Sequence, residues 1–244
     1  MANVIAVIPV RFGAQRFPGK PLAKILDKSM IEWVVEGVSQ SQLIKKIVVA
    51  TDDQRIKDAC SHLSVEVVMT DSDLPSGSDR VYQAVQASDE DLIINIQGDE
   101  PLITGDLLDK MAQFMVSSNN WEMVTFGRPM DQVSLESVNT AKIVLNHEDY
   151  ALYFSRCPIP YTREKATGSI DGCLKHIGIY GYKKSFLKKF CETPAQTLEK
   201  MEGLEQLRAL YLGARIKVIK VDYESWGVDT PDDIEIVEKI LRKR

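Results

Sequence analysis

Three cations stand close together in residues 7–22, VIPVRFGAQRFPGKPL: Arg11, Arg16 and Lys20, with no acid before Asp27. Gly13 and Gly19 punctuate the same stretch. Glycines let backbone N–H groups approach an anion closely, and cations neutralise it. The stretch therefore reads as a phosphate cradle placed straight after an apolar run. It is not a Walker loop, because five residues rather than four separate the glycines and Pro21 replaces the Ser/Thr that would hold magnesium. Nor is it the G-x-G-x-x-G pattern of dinucleotide sites. A solvated surface loop is the plain alternative.

Two carboxylates answer those cations. In IQGDEP, Gly98 frees a turn, Pro101 stops the strand, and Asp99 and Glu100 fall at its end. In WGVDTP, Asp229 also follows a strand and precedes a helix. An ordinary acidic turn and a helix cap are the simpler readings of these two. If Asp99 and Asp229 converge, hard oxygen donors facing a phosphate cradle suit Mg²⁺. In PSGSDRV, Ser76, Gly77 and Ser78 offer donors to a nucleotide, and Arg80 offers charge to an anionic substrate group. Arg156 lies beside a strand end in YFSRCPIPY. His176 and Tyr180, four apart in KHIGIYGY, share one face of a strand because their separation is even. Glu205 and Gln206 in GLEQLR could bond a polyhydroxylated ligand from a helix.

The elements that must position these groups follow from periodicity. NVIAVIPV, KIVVAT, VEVVMT and DLIINIQ are short apolar runs, and helical patterns follow each one. Strand and helix alternating four times implies parallel strands joined by crossover helices, with ligands beyond the carboxyl ends of the strands. Residues 11–20, 51–53, 70–80 and 97–101 occupy those ends. From 121 to 182 the rhythm changes to strands without clear helices between them, which reads as an inserted or appended antiparallel element. Helices then return, followed by a late strand, ARIKVIKVDY. In DTPDDIEIVEKILRKR, Thr230 suits an N-cap, Pro231 the first helical position and Asp233 a capping box.

The 244 residues, 44% hydrophobic and 27% charged, suffice for one large α/β domain. A net charge of −5 argues against a nucleic-acid or anionic-membrane binder, so the cationic loop is a local exception. Cys60, Cys157, Cys173 and Cys191 form no CxxC pair and are expected as reduced thiols of a cytoplasmic protein. No run has the length of a membrane span or the form of a signal peptide. The three histidines lack metal-ligand spacing.

Taken in order, VIPVRFGAQRFPGKPL, VATDD, SGSDR, IQGDEP, YALYFSR, HIGIYGY, LEQLR and GVDTPDD resemble the 3-deoxy-manno-octulosonate cytidylyltransferases, or CMP-Kdo synthetases. The likeness runs from about residue 4 to 240. It implies a nucleotide-diphospho-sugar-transferase fold, a Rossmann-like mixed sheet with a small antiparallel dimerisation element. The chain would then be one nucleotidyltransferase domain over 1–244, with about 121–182 as a mainly β sugar-binding and dimerisation insert. The implied reaction couples CTP to a 3-deoxy-octulosonic acid, Kdo or its 8-amino analogue, and releases pyrophosphate, for lipopolysaccharide synthesis. The implied assembly is a cytoplasmic homodimer.

By the same resemblance, Arg11, Arg16 and Lys20 hold the triphosphate, and with Asp99 form the catalytic group. Ser78 and Gln97 lie near the cytidine. Asp99 and Asp229 ligate Mg²⁺. Arg80, Arg156, His176, Tyr180, Glu205 and Gln206 line the sugar site. The chain departs from the family pattern at Ser78, where many members have Thr, at Cys157, where many have Ala, at Pro75, and in TFGRP, residues 125–129. Two rival readings remain: another sugar-acid nucleotidyltransferase of the CMP-sialate or UDP-sugar type, and a nucleotide-binding regulator with no turnover. The loop AQRFPGKPL speaks against the sialate type, and the full set of loop cations and carboxylates speaks against the regulator.

Overall fold

The computed structural model describes residues 3–13, 17–161, 163 and 172–243. It divides into two compact units, Met1–Ser117 with Ser225–Arg244, and Ser118–Glu224.

The first unit begins with β1 (Val4–Val10), a continuously apolar strand that is buried almost throughout. A 3₁₀ turn (Lys20–Leu22) follows, then a ribbon of two very short antiparallel strands, β2 (Lys24–Ile25) and β3 (Lys28–Ser29). Helix α1 (Met30–Ser39) starts at a capping box, where Glu32 accepts from the Ser29 N–H at 2.7 Å. Next come β4 (Lys46–Thr51), α2 (Gln54–Ala59), β5 (Glu66–Met69), α3 (Gly77–Val85), β6 (Leu92–Asn95) and α4 (Gly105–Ser117). Strands β6, β1, β4 and β5 lie side by side in that order, all parallel. Both neighbours of β1 are hydrogen-bonded strands and helices flank the sheet, which is why its sequence is apolar without alternation. The alternation expected from the sequence is therefore present, strand by strand.

The second unit runs through β7 (Met123–Pro129), α5 (Gln132–Glu136), β8 (Lys142–Leu145), β9 (Ala151–Ser155), β10 (Leu174–Lys183), α6 (Lys184–Glu192), α7 (Thr197–Glu202), α8 (Gln206–Tyr211) and β11 (Ile216–Lys220). Its strands are mixed in direction: β7–β10, β10–β8 and β8–β9 pair antiparallel, while β11 adds parallel to β7. Helix α5 interrupts a stretch expected to hold strands alone. Asp131 caps it, accepting from the Ser134 N–H at 2.7 Å.

The chain then returns to the first unit as α9 (Pro231–Leu241), with Thr230, Pro231 and Asp233 in the capping roles read from the sequence. Val228 and Val237 join a buried cluster with Ile25, Met30 and Leu102, and Trp33 and Trp226 pack against it. All four cysteines are free. No described helix is long and apolar enough to cross a membrane.

Candidate active site

Beyond the carboxyl ends of β1 and β6 lies a cavity of about 400 Å³, within the range of small-molecule sites. Three of the four expected strand-end segments contribute: Arg11 and Lys20 after β1, Ser76 and Gly77 at the start of α3, and Gln97 and Asp99 after β6. Asp229 reaches the same cavity from the distant end of the chain. Arg16 falls outside the described residues.

The opening loop is held from its sides. Gly19 adopts φ +73°, the left-handed region that suits glycine, and its N–H donates to the Phe12 carbonyl at 2.9 Å. A Cβ there would also crowd the Phe12 ring at 3.2 Å. The same ring carries the Arg55 guanidinium at 3.3 Å from its centroid, and Asp53 in turn fixes Arg55. This anchoring delivers Lys20 to the cavity floor.

There the Lys20 ammonium donates to Asp99 Oδ2 at 2.6 Å and to the Val228 carbonyl at 2.9 Å, with Asp229 Oδ1 at 3.6 Å. The Val228 N–H donates to the Asp99 carbonyl at 2.9 Å, which ties the two carboxylate-bearing loops together. Ser225 donates to Glu100, so the second acid of IQGDEP clamps the incoming segment. The two carboxylates thus converge, as the sequence required for a cation site, and a cationic side chain sits with both. Their hard oxygens fit a divalent ion such as Mg²⁺, for which the Lys20 ammonium competes at the same two side chains. No cluster of three metal-ligating side chains occurs among the described residues, so phosphate and water would have to complete any coordination shell.

Arg80 lines the wall but is already engaged. It is 4% exposed and donates to Thr70 and, at 3.3 Å, to Asp52 Oδ2. Asp52 and Thr70 are positioning groups that the motif reading did not single out, although both stand at ends of parallel strands. Ser78 is buried inside the first turn of α3, and the cavity wall there is made by Ser76 and Gly77. Ser76 accepts from the Asp79 N–H as the helix cap, so the positive end of α3 faces the cavity.

The remaining candidates belong to the second unit. His176 and Tyr180 do share a face of β10, with ring centroids 5.4 Å apart. Tyr180 donates to Gln206 Oε1 at 3.3 Å. Gln206 is 2% exposed, and its Nε2 is buried without a hydrogen-bond partner among the described residues. Burial pushes the Tyr180 phenol upward, and the Glu205 carboxylate adds to this, so Glu205 stands near the same group. Burial also drives His176 down to about 3, which makes it a neutral imidazole. Arg156 donates through Nε to the Glu202 carbonyl at 2.7 Å and through its other nitrogens to the Gly203 and Val138 carbonyls. Its guanidinium caps the end of α7, where its motif neighbour Ser155 also donates to the Glu202 carboxylate at 2.7 Å.

The fold that carries this cavity recurs in known proteins. The Cytidylyltransferase family model matches residues 5–216. A 3-deoxy-manno-octulosonate cytidylyltransferase of Bdellovibrio bacteriovorus is 53% identical over 241 residues, covering 98% of both chains. The protein of that name from Thermodesulfovibrio yellowstonii is 42% identical over 97% of both. Among solved structures, a CMP:2-keto-3-deoxy-manno-octonic acid synthetase complexed with CTP superposes with a TM-score of 0.93 at 35% identity, over 99% of both chains. The α/β fold with its Rossmann-like mixed sheet is therefore the fold of that structure, and the chain belongs to the 3-deoxy-manno-octulosonate cytidylyltransferase family of nucleotidyltransferases.

Proposed function

We propose that the cavity of the first unit binds CTP and serves the transfer of its cytidylyl group to Kdo, with release of pyrophosphate. The observation that carries this reading is the meeting of Lys20, Asp99 and Asp229 beneath a wall that presents Arg11 and the start of α3. The C2 hydroxyl of the sugar acid attacks the α-phosphorus in line. A C2–O–P bond forms, the bond to the β-phosphate breaks, the hydroxyl proton is released, and pyrophosphate departs. Such a reaction needs positioning and charge neutralisation more than covalent help. Lys20, Arg11 and Arg16 neutralise the triphosphate, and the N–H groups at the start of α3 add donors. Gln97 is assigned to the cytidine from the cavity wall, and Ser78 only from behind it, through the first turn of α3. Asp99 and Asp229 would hold Mg²⁺, which when bound offsets phosphate charge and lowers the pKa of the attacking hydroxyl.

The sugar acid is assigned to His176, Tyr180, Glu205 and Gln206, with Arg80 and Arg156 as supporting cations. The orphaned Gln206 Nε2 supports this, because a buried amide donor without a partner is costly unless a ligand supplies the acceptor. Pyrophosphate release with CTP and Mg²⁺, run with Kdo and with its 8-amino analogue side by side, tests the reading and names the preferred sugar. Asp99→Asn is expected to lose most turnover, on the order of a hundredfold or more, while keeping its melting temperature. Near-normal turnover in that variant would defeat the metal assignment. CTP binding with no turnover on either sugar would favour a regulator.

A further inference from the structure

Thr125 is completely buried on β7, and its hydroxyl has three close neighbours. Oγ1 lies 3.0 Å from the Ile177 carbonyl oxygen, 2.9 Å from the Ile179 carbonyl oxygen and 3.0 Å from His176 Nε2. The two carbonyls flank a bulge in β10. There the register passes from Ile177 opposite Phe126 to Tyr180 opposite Thr125, three steps on one strand against one on the other. Two extra residues are an even number, which is why His176 and Tyr180 stay on one face despite the bulge.

A hydroxyl has a single proton and two lone pairs. Carbonyl oxygens only accept, so the Thr125 proton must serve them. Turning it toward His176 instead would set two carbonyl oxygens against hydroxyl lone pairs in a dry site. The hydroxyl is therefore the acceptor toward the imidazole, and Nε2 carries the ring proton. Because the ring is neutral, Nδ1 is left as an acceptor. The ring is also held edge-on against Phe154, with centroids 5.3 Å apart, and the backbone N–H of His176 donates to the Ala141 carbonyl at 2.9 Å.

We infer that Thr125 is a positioning residue for the sugar-acid subsite: its hydroxyl, pinned by the carbonyls of the β10 bulge, fixes His176 as the Nε2–H tautomer so that Nδ1 accepts a hydrogen bond from a substrate hydroxyl. This rests on the assignment of His176 to the sugar acid. It makes the histidine a reader of neutral hydroxyl groups and leaves anion recognition to donors such as Gln206 Nε2.

The test is the ¹⁵N spectrum of histidine-labelled protein, with the His176 ring nitrogens assigned by their loss in His176→Gln. The wild-type spectrum is expected to show Nε2 protonated and Nδ1 bare, and the reverse pattern overturns the inference without any variant. Thr125→Val is expected to release the tautomer into a mixture and to raise KM for the sugar acid about tenfold, with KM for CTP unchanged and kcat little altered. Thr125→Ser, which keeps the hydroxyl, is expected to restore both readouts and serves as the working comparison if the valine variant does not fold. A folded Thr125→Val protein with an unchanged tautomer overturns the role of Thr125 alone. A changed tautomer with an unchanged sugar KM overturns the assignment of His176 to the sugar, and the positioning role with it.

Discussion

Lys20 carries one positive charge and meets two negative ones. At 2.6 Å from Asp99 and 3.6 Å from Asp229, its ammonium lies where a divalent cation would be drawn by the same two side chains. On the proposed function, arriving phosphates would offer Lys20 new partners and free the carboxylates, coupling nucleotide and metal binding. Lys20→Met is expected to bind Mn²⁺ or Mg²⁺ more tightly in the absence of nucleotide, on the order of tenfold, while losing most turnover. Calorimetric titration of the nucleotide-free variant checks this, and weaker metal binding than wild type would count against it. Asp99 was legible in the sequence because it stands next to Gly98 shortly after β6, and Asp229 because it precedes the Thr-Pro start of α9, although β11 ends as early as Lys220. The bond from Lys20 to the Val228 carbonyl was not, because the two residues are 208 positions apart and nothing local encodes it. Arg156 shows the opposite limit. Its motif points to a ligand and gives no sign that the guanidinium also donates to the Val138, Glu202 and Gly203 carbonyls.

The turn after β6 shows how tightly an element can constrain one position. A Cβ on Gly98 would stand 2.1 Å from Val10 Cγ1 and 3.2 Å from the Pro9 carbonyl oxygen. Val10 is buried and β-branched, so it has no flexible end to move aside. Gly98→Ala is expected to cost about 1–3 kcal/mol in denaturant unfolding and to weaken CTP binding through displacement of Asp99. A variant with wild-type stability would show that the β1 end yields more than its packing suggests. Long apolar strands and the capped α9 were readable because their signals are periodic and local. The two-residue strands β2 and β3 were not, since neither is long enough to show a period. Helices α5 and α7 also escaped notice, because each is short and polar. The α7 region is fixed by a contact outside itself: buried Arg208 on α8 grips Glu199 with Nε at 2.9 Å and a second nitrogen, and donates to the Phe190 and Thr193 carbonyls. Arg208 closes the motif LEQLR, so part of that motif marks architecture.

For the molecule as a whole, acidity is the condition to which the fold should be sensitive. His176 stays neutral in the folded protein down to about 3, whereas an unfolded histidine takes its proton near 6.5. Above pH 6.5 neither state is protonated and the residue adds no pH dependence. Between 6.5 and 3 the unfolded chain binds the extra proton, so stability falls as pH falls, by at most about 1.4 kcal/mol per pH unit. The lowered carboxyls of Glu32, Asp109, Glu199 and Asp233 act in the same direction at lower pH. Unfolding curves at pH 7, 6 and 5 should show the decline, and His176→Gln should flatten it; an equal slope in both proteins would remove histidine as the cause. The fold class was legible from strand–helix alternation, and the family from eight motifs in order. The change of rhythm read at 121 lies close to the division at 118, whereas the return at 225 was not legible, since the helices after 182 read as the end of the insert. That return bears on how the protein is made. A ribosome delivers Lys20 and Asp99 early, but Val228 and Asp229 follow only after every residue of the second unit has been synthesised. During translation the nascent cavity has one carboxylate and half of its floor, so the chain cannot hold nucleotide in its mature manner while it is still growing through the second unit.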